Sequence, residues 1–258
     1  MSRQWWSERR DEVVVADVRK GGLAGTRAGH LPGAVLVDLD RWLAAPPSPE
    51  RGRHPLPAPE VFAEGMSRAG IADHDTVVAY DDEGGVTAAR LVWMLRALGR
   101  DAALLDGGWR PDEDGTSVEP SSRPAAVFTA LPWPAVLLAS PADAADPAHV
   151  VLDARTRERF AGGASPLDPR PGHVPGARSF PARDSVGVDG LLLPVEQLRE
   201  RLAAVGVGAG SDVVAYCGSG VTACHDLLVL EHAGFAPGRL YPGSWSQWAS
   251  DPDAPAEF

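Results

Sequence analysis

Val213-Val214-Ala215-Tyr216-Cys217-Gly218-Ser219-Gly220-Val221-Thr222-Ala223-Cys224 is the stretch on which the reading of this chain turns. Its first four residues are apolar without alternation, the pattern of a short strand buried on both faces. From Val221 onward the spacing becomes helical, with Val221, Leu227, Leu228 and Leu230 as the expected buried positions. Between strand and helix stand Cys217 and two glycines, Gly218 and Gly220. A cysteine at such a junction faces backbone N–H groups and the positive end of a helix dipole, which favour an anion and hence the thiolate. Glycine adopts positive φ without steric cost, so the backbone can curl around the sulfur. A buried, inert cysteine has no need of these flanks. A phosphatase also wraps a loop around a cysteine, but it needs an arginine at the end of a Cys-x5-Arg pattern to bind phosphoryl oxygens. That position is Ala223 here.

Working outward, the same strand recurs. Val77-Val78-Ala79-Tyr80 is identical to Val213-Val214-Ala215-Tyr216, and around it the order of landmarks repeats. Val15-Ala16-Asp17-Val18-Arg19 matches Val150-Val151-Leu152-Asp153-Ala154-Arg155, and Gly29-His30-Leu31-Pro32-Gly33-Ala34 matches Gly172-His173-Val174-Pro175-Gly176-Ala177. The closing Leu105 to Trp109 matches Tyr241 to Trp245, and the spacing from Val77 to Trp109 equals that from Val213 to Trp245. Two copies of one α/β unit are therefore expected, joined through a segment, Pro111 to Pro134, rich in Pro, Ser and acidic residues. Strands alternating with helices predict parallel sheets with helices on both faces, with Cys217 at the carboxyl end of a strand, where ligands of such sheets bind. The proline-rich run from Pro46 to Pro59 reads as an extended surface loop.

The halves also control for each other. Where the second has Cys217, the first has Asp81, followed by Asp82, Glu83, Gly84 and Gly85 in a loop one residue longer. Carboxylates repel an anionic thiolate and supply no sulfur nucleophile, so the first half is expected to be non-catalytic. His30 and His173, and likewise Asp17 and Asp153, occur in both halves and are read as serving the fold. The other histidines, His54, His74, His149, His225 and His232, are read as solvated surface. Cys224, two helical turns beyond Cys217, is assigned to the core or the helix flank, with a redox partnership as the lesser alternative. Trp245 is assigned to packing.

Composition sets outer limits. The 258 residues carry 24 basic and 35 acidic side chains, a formal net charge of −11, which argues against nucleic acid or an anionic membrane as the main partner. No apolar run approaches the ~20 residues of a membrane span, and the first residues lack a signal-peptide pattern. Two cysteines make no disulfide framework and suit a reducing cytoplasm.

Cys217-Gly218-Ser219-Gly220-Val221-Thr222 resembles the active-site loop of two-domain rhodanese-type sulfurtransferases, in particular the 3-mercaptopyruvate sulfurtransferases, and the resemblance runs over essentially the whole chain. It implies two tandem rhodanese-like domains, each an open parallel sheet with helices on both faces: residues 1–115 non-catalytic, 116–134 a linker, 135–258 catalytic. It implies a Cys217 persulfide, stabilised by the N–H groups of Gly218, Ser219, Gly220, Val221 and Thr222, with the Ser219 hydroxyl donating a hydrogen bond or relaying a proton. Arg159, in an Arg-Phe context, and Arg170, in a Pro-Arg context, match arginines that bind the donor carboxylate in that family, although the loop before Arg170 is shorter here. Family members that prefer thiosulfate commonly carry basic residues after the cysteine. Gly218 and Ser219 are neutral, so 3-mercaptopyruvate is the expected donor and thiosulfate the runner-up. Implied acceptors are a thiol, cyanide or a thioredoxin-like protein, with no metal or organic cofactor. A persulfide-carrier protein is the alternative.

Overall fold

The computed structural model describes residues 1–21, 29–118 and 121–258, and the chain divides into two compact units. Unit one comprises residues 1–45, 56–133 and 188–191; unit two comprises 46–55, 134–187 and 192–258. Each half of the sequence thus contributes one short segment to the unit built mainly from the other half.

In unit one, β1 (Val14–Arg19), β2 (Val35–Asp38), β3 (Val77–Tyr80) and β4 (Ala102–Leu104) form a parallel sheet in the order β2-β1-β3-β4. In unit two, β5 (Val150–Asp153), β6 (Arg178–Ser179), β7 (Val213–Tyr216) and β8 (Arg239–Leu240) repeat it as β6-β5-β7-β8, again all parallel. The register repeats too: Asp17 lies opposite Tyr80, and Asp153 opposite Tyr216. The two identical Val-Val-Ala-Tyr strands are central in their sheets and buried at every position, which is why their sequence shows no alternation.

Helices flank both sheets, α1 (Pro59–Arg68) and α2 (Ala88–Ala97) in unit one, α3 (Val195–Ala204) and α4 (Ala223–His232) in unit two. Alternate strand residues in unit two feed two cores, as the period of a strand requires. Leu152 and Val213 pack with Leu198, Leu202, Val229 and Leu230 of α3 and α4. Val151, Val214 and Tyr216 pack on the other face with Val174, Tyr241, Trp245 and Trp248.

The residues common to both halves brace turns. The Tyr80 hydroxyl accepts a hydrogen bond from Leu31 N at 2.9 Å, and the Tyr216 hydroxyl accepts one from Val174 N at 3.1 Å. His30 exchanges backbone hydrogen bonds with Ser117, and His173 does so with Glu257. The His173 ring stacks on Phe160, centroids 3.7 Å apart, with Nδ1 2.9 Å from the Phe160 carbonyl. Asp17 pairs with Arg19, and Asp153 with Arg155.

One surface expectation is overturned. His225 is 2% exposed, because α4 is buried from Ala223 to Leu230, and burial pushes its pKa down to about 4. Residues 46–55 form a largely exposed irregular segment, as expected, with Gly52 and Pro55 buried where it packs in unit two. No helix among the described residues is long and apolar enough to cross a membrane.

Candidate active site

Cys217 follows the last residue of β7 and is 2% exposed. Its Sγ accepts hydrogen bonds from Gly220 N at 3.1 Å and Ser219 N at 3.4 Å, two of the five amides expected to face it. The loop is fixed from below by the first turn of α5 (Ser244–Trp248). Trp245 N and Ser246 N each donate to the carbonyls of Cys217 and Gly218, respectively, at 2.9 Å. Cys217 N donates to Ser244 Oγ at 3.1 Å, and that hydroxyl donates onward to the Tyr241 carbonyl at 2.9 Å. Ser244 holds this position at φ 53°, a left-handed conformation costly for a non-glycine residue and retained here by the bonds it makes.

Gly220 has φ 78°, and a β-carbon there would lie 2.5 Å from the Pro242 carbonyl oxygen, so glycine is required twice over. Val221 is buried, and Thr222 sits at the N-cap of α4 without a side-chain capping bond. Cys224 is fully buried beneath the loop, its thiol donating to the Gly220 carbonyl at 3.4 Å.

The segment 46–55 reaches this loop within unit two. Gln247 Nε2 donates to the Glu50 carbonyl at 2.6 Å, and Arg53 N donates to Ser246 Oγ at 2.9 Å. Gly52, at φ 85°, permits the approach, since a β-carbon there would meet the Gly243 carbonyl oxygen at 2.4 Å. His54 Nδ1 then lies 2.7 Å from Ser219 Oγ. His54, read from sequence as solvated surface, is instead a partly buried partner of the loop hydroxyl. Arg53 and Asp168 also stand at this loop, which their sequence surroundings do not indicate. The available signal was the Gly-Arg-His-Pro run inside a proline-rich stretch.

Arg159 is brought to the loop as expected. It lies in a short helix, Arg157–Phe160, capped by the Thr156 side chain. A β-carbon built on Gly218 would lie 2.8 Å from Arg159 Nη2 and 3.1 Å from Arg53 Nη2, so two guanidinium groups share the space above that glycine. Arg159 is bound bidentately by Asp168, Nε to Oδ2 at 2.8 Å and Nη2 to Oδ1 at 2.5 Å, and Asp168 also faces Arg155 Nη1 at 3.5 Å. Arg170 points elsewhere. Its guanidinium donates to the carbonyls of Ala249, Asp251 and Ala254 and lies 5.7 Å from the centroid of the buried Trp245 ring. Arg170 is thus tied to the carboxy-terminal segment, and its donors are engaged there rather than at the Cys217 loop, where its Pro-Arg context suggests a carboxylate-binding role.

A nucleophilic sulfur held by loop amides, a hydroxyl–imidazole pair and a guanidinium cluster fit transfer chemistry on a small anion. The family model described as rhodanese-like domain matches residues 3–111 and 137–251, one match per unit of the repeat. The chain belongs to the rhodanese-like family. Within it, a probable 3-mercaptopyruvate sulfurtransferase of Pseudomonas aeruginosa is 45% identical, the match covering 88% of this chain and 83% of that one. A putative thiosulfate sulfurtransferase of Mycobacterium tuberculosis is 37% identical over 95% of this chain and 90% of its own length. The crystal structure of a 3-mercaptopyruvate sulfotransferase from Escherichia coli superposes with a TM-score of 0.80 at 30% identity, covering 95% of this chain and 98% of that one. This chain is accordingly a rhodanese-family sulfurtransferase, an enzyme that moves sulfur through a catalytic cysteine.

Proposed function

We propose that the chain transfers sulfur from 3-mercaptopyruvate through a persulfide on Cys217. The observation that carries this reading is the meeting of three groups: Sγ on the loop amides, Ser219 Oγ on His54, and Arg159 above Gly218. The Cys217 thiolate attacks the donor thiol sulfur. A carbon–sulfur bond breaks as a sulfur–sulfur bond forms, and pyruvate leaves as its enolate. The enolate carbon needs a proton, which Ser219 and His54 are positioned to relay. Amides of the loop stabilise negative charge on sulfur. Arg159 binds the donor carboxylate in place of Asp168, with the bidentate geometry it already makes. An acceptor thiolate, cyanide or a thioredoxin-like thiol then takes the outer sulfur and returns Cys217 as thiolate. Both cysteines are free, which supports work in the reducing cytoplasm.

Thiosulfate is the second reading, with sulfite as the leaving group. Arg53 and Arg159 bring over Gly218 the positive charge that the neutral loop residues lack, so a dianionic donor has attractive partners too. Each donor is to be offered separately, with the Cys217 peptide weighed for the gain of one sulfur atom and kcat/KM measured with each. Loading by mercaptopyruvate with the higher kcat/KM is the expected result. Preference for thiosulfate would move the donor assignment and leave the cysteine mechanism in place.

A further inference from the structure

Unit two holds a cavity of about 650 Å³, a volume in the range of small-molecule sites, that the sulfur chemistry does not use. Its buried lining is aromatic: Tyr241 is 1% exposed and Trp248 7%. Its exposed lining includes Pro49, Pro141, Ala145 and Pro255. Two exposed carboxylates, Glu50 and Asp251, complete the wall, and no basic side chain lines it. Arg170 reaches the carbonyls of Asp251 and Ala254 but is not part of the lining. Neither carboxylate is ion-paired among the described residues. Defined contacts join the walls: Gln247 Nε2 donates to the Glu50 carbonyl at 2.6 Å, and Trp248 Nε1 donates to the Pro255 carbonyl at 2.7 Å. The buried Tyr241 hydroxyl has no hydrogen-bond partner among the described residues, so a lining residue keeps an unmet polar group.

We propose that this cavity is a binding site for a small organic ammonium ion with an apolar body. The lining selects the sign of the charge. Aromatic rings attract a cation through their negative faces, while proline and alanine side chains receive its hydrocarbon part. Glu50 and Asp251 attract the positive end and repel an anion, and the net charge of −11 acts in the same direction. A sulfur donor is anionic, so this ligand belongs to a different class from the substrate. Gln247 and Trp248 lie on α5, whose Trp245 N and Ser246 N hold the Cys217 loop. The site therefore adjoins the catalytic loop without sharing its arginines.

The test titrates the full chain with benzylammonium, benzyl alcohol and benzoate, which share a ring and differ in charge. The reporter is the NMR cross-peak of the Trp248 indole N–H, assigned by its loss in Trp248→Phe. Benzylammonium should shift that peak saturably and bind about fivefold more tightly than benzyl alcohol, the scale of an exposed cation–π contact with exposed ion pairs. Benzoate should leave the peak unmoved. Glu50→Gln combined with Asp251→Asn should weaken benzylammonium about fivefold and leave benzyl alcohol unchanged. A fall in both affinities together would mean that the carboxylates only shape the wall, and would overturn the proposal. Equal affinity for the cation and the alcohol, or no saturation by benzylammonium, would overturn it as well. No turnover is involved, so the outcome is independent of the sulfur donor.

Discussion

The two central strands are identical in sequence, and the loops that leave them hold opposite occupants. After β7, Cys217 Sγ takes two amides, those of Ser219 and Gly220. After β3, the Asp81 carboxylate takes four: Glu83 N at 2.8 Å and Gly85 N, Thr87 N and Ala88 N at 2.7 Å each. Thr87 caps α2, which begins at Ala88, as Thr222 caps α4, which begins at Ala223. Unit one therefore has its anion cradle filled by its own carboxylate on four amides, whereas in unit two the cysteine sulfur takes two. Simple repulsion of a thiolate, as the acidic sequence suggests, understates the difference. The first loop is sealed. Burial raises the Asp81 pKa and its backbone donors oppose the rise, so the amides serve to hold the carboxylate there.

The segment between second strand and following helix sharpens the contrast. In the first half it supplies residues 46–55, carrying Arg53 and His54, to unit two; in the second half it supplies residues 188–191 to unit one. There Arg110 Nη2 donates to the Asp189 carbonyl at 3.5 Å. One duplicated architecture thus brings an imidazole to the loop hydroxyl in unit two, at His54 and Ser219.

The largest expected effect tests the nucleophile. Cys217→Ser should remove turnover altogether, by at least ~10³-fold in kcat, since the covalent intermediate has no other carrier. Cys224→Ser, altering a buried thiol under the loop, should leave most of the activity. Steady-state rates of both variants decide it, and equal loss would indicate a dithiol mechanism.

His54→Ala should follow, lowering kcat by about 10²-fold, the usual scale for losing a general acid–base partner. Ser219→Ala should resemble it, and the double variant should lose little more than either single one if the pair acts as a relay. Additive losses would separate the two roles.

Carboxylate binding divides the arginines more finely. Arg159→Ala should reduce kcat/KM for mercaptopyruvate by roughly 10- to 100-fold, because a hydrogen bond to a charged group contributes about 1.5–3 kcal/mol. Arg170→Ala should change kcat/KM by less than about threefold while lowering denaturation stability by ~1–2 kcal/mol, since its bonds go to main-chain carbonyls of unit two. A large catalytic defect without loss of stability would restore Arg170 to the site.

Much of this was legible in the residues. Repetition of Val-Val-Ala-Tyr, of the Gly-His-x-Pro-Gly-Ala turn and of the Asp-x-Arg pair specified two copies of one parallel sheet, because local pattern and the duplication agree. The Cys217 loop was readable because nucleophile, glycines and helix start are contiguous. Groups that meet only through long-range packing were not. His54 and Ser219 are 165 positions apart, and nothing in a proline-rich run declares which unit it joins. Arg170 illustrates the converse: its Pro-Arg context reads as a binding motif, but carbonyls up to 84 positions away engage its guanidinium. Asp81 shows a third limit, since a carboxylate's ability to cap the very amides it would otherwise repel anions from depends on loop geometry that composition does not encode.

The measurement closest to the central claim uses Asp81→Cys in the otherwise intact protein. Removing the carboxylate unseals the first loop and supplies a thiol at the position equivalent to Cys217, but in a loop one residue longer, since β3 to α2 spans Tyr80 to Ala88 where β7 to α4 spans Tyr216 to Ala223. After exposure to donor, peptide mass spectrometry should find the added sulfur atom on Cys217 and not on the new cysteine, with kcat per folded molecule unchanged. A persulfide on position 81, or a second equivalent of sulfur loaded per chain, would contradict the account, because it would mean that the first loop differs from the second only in which side chain occupies it.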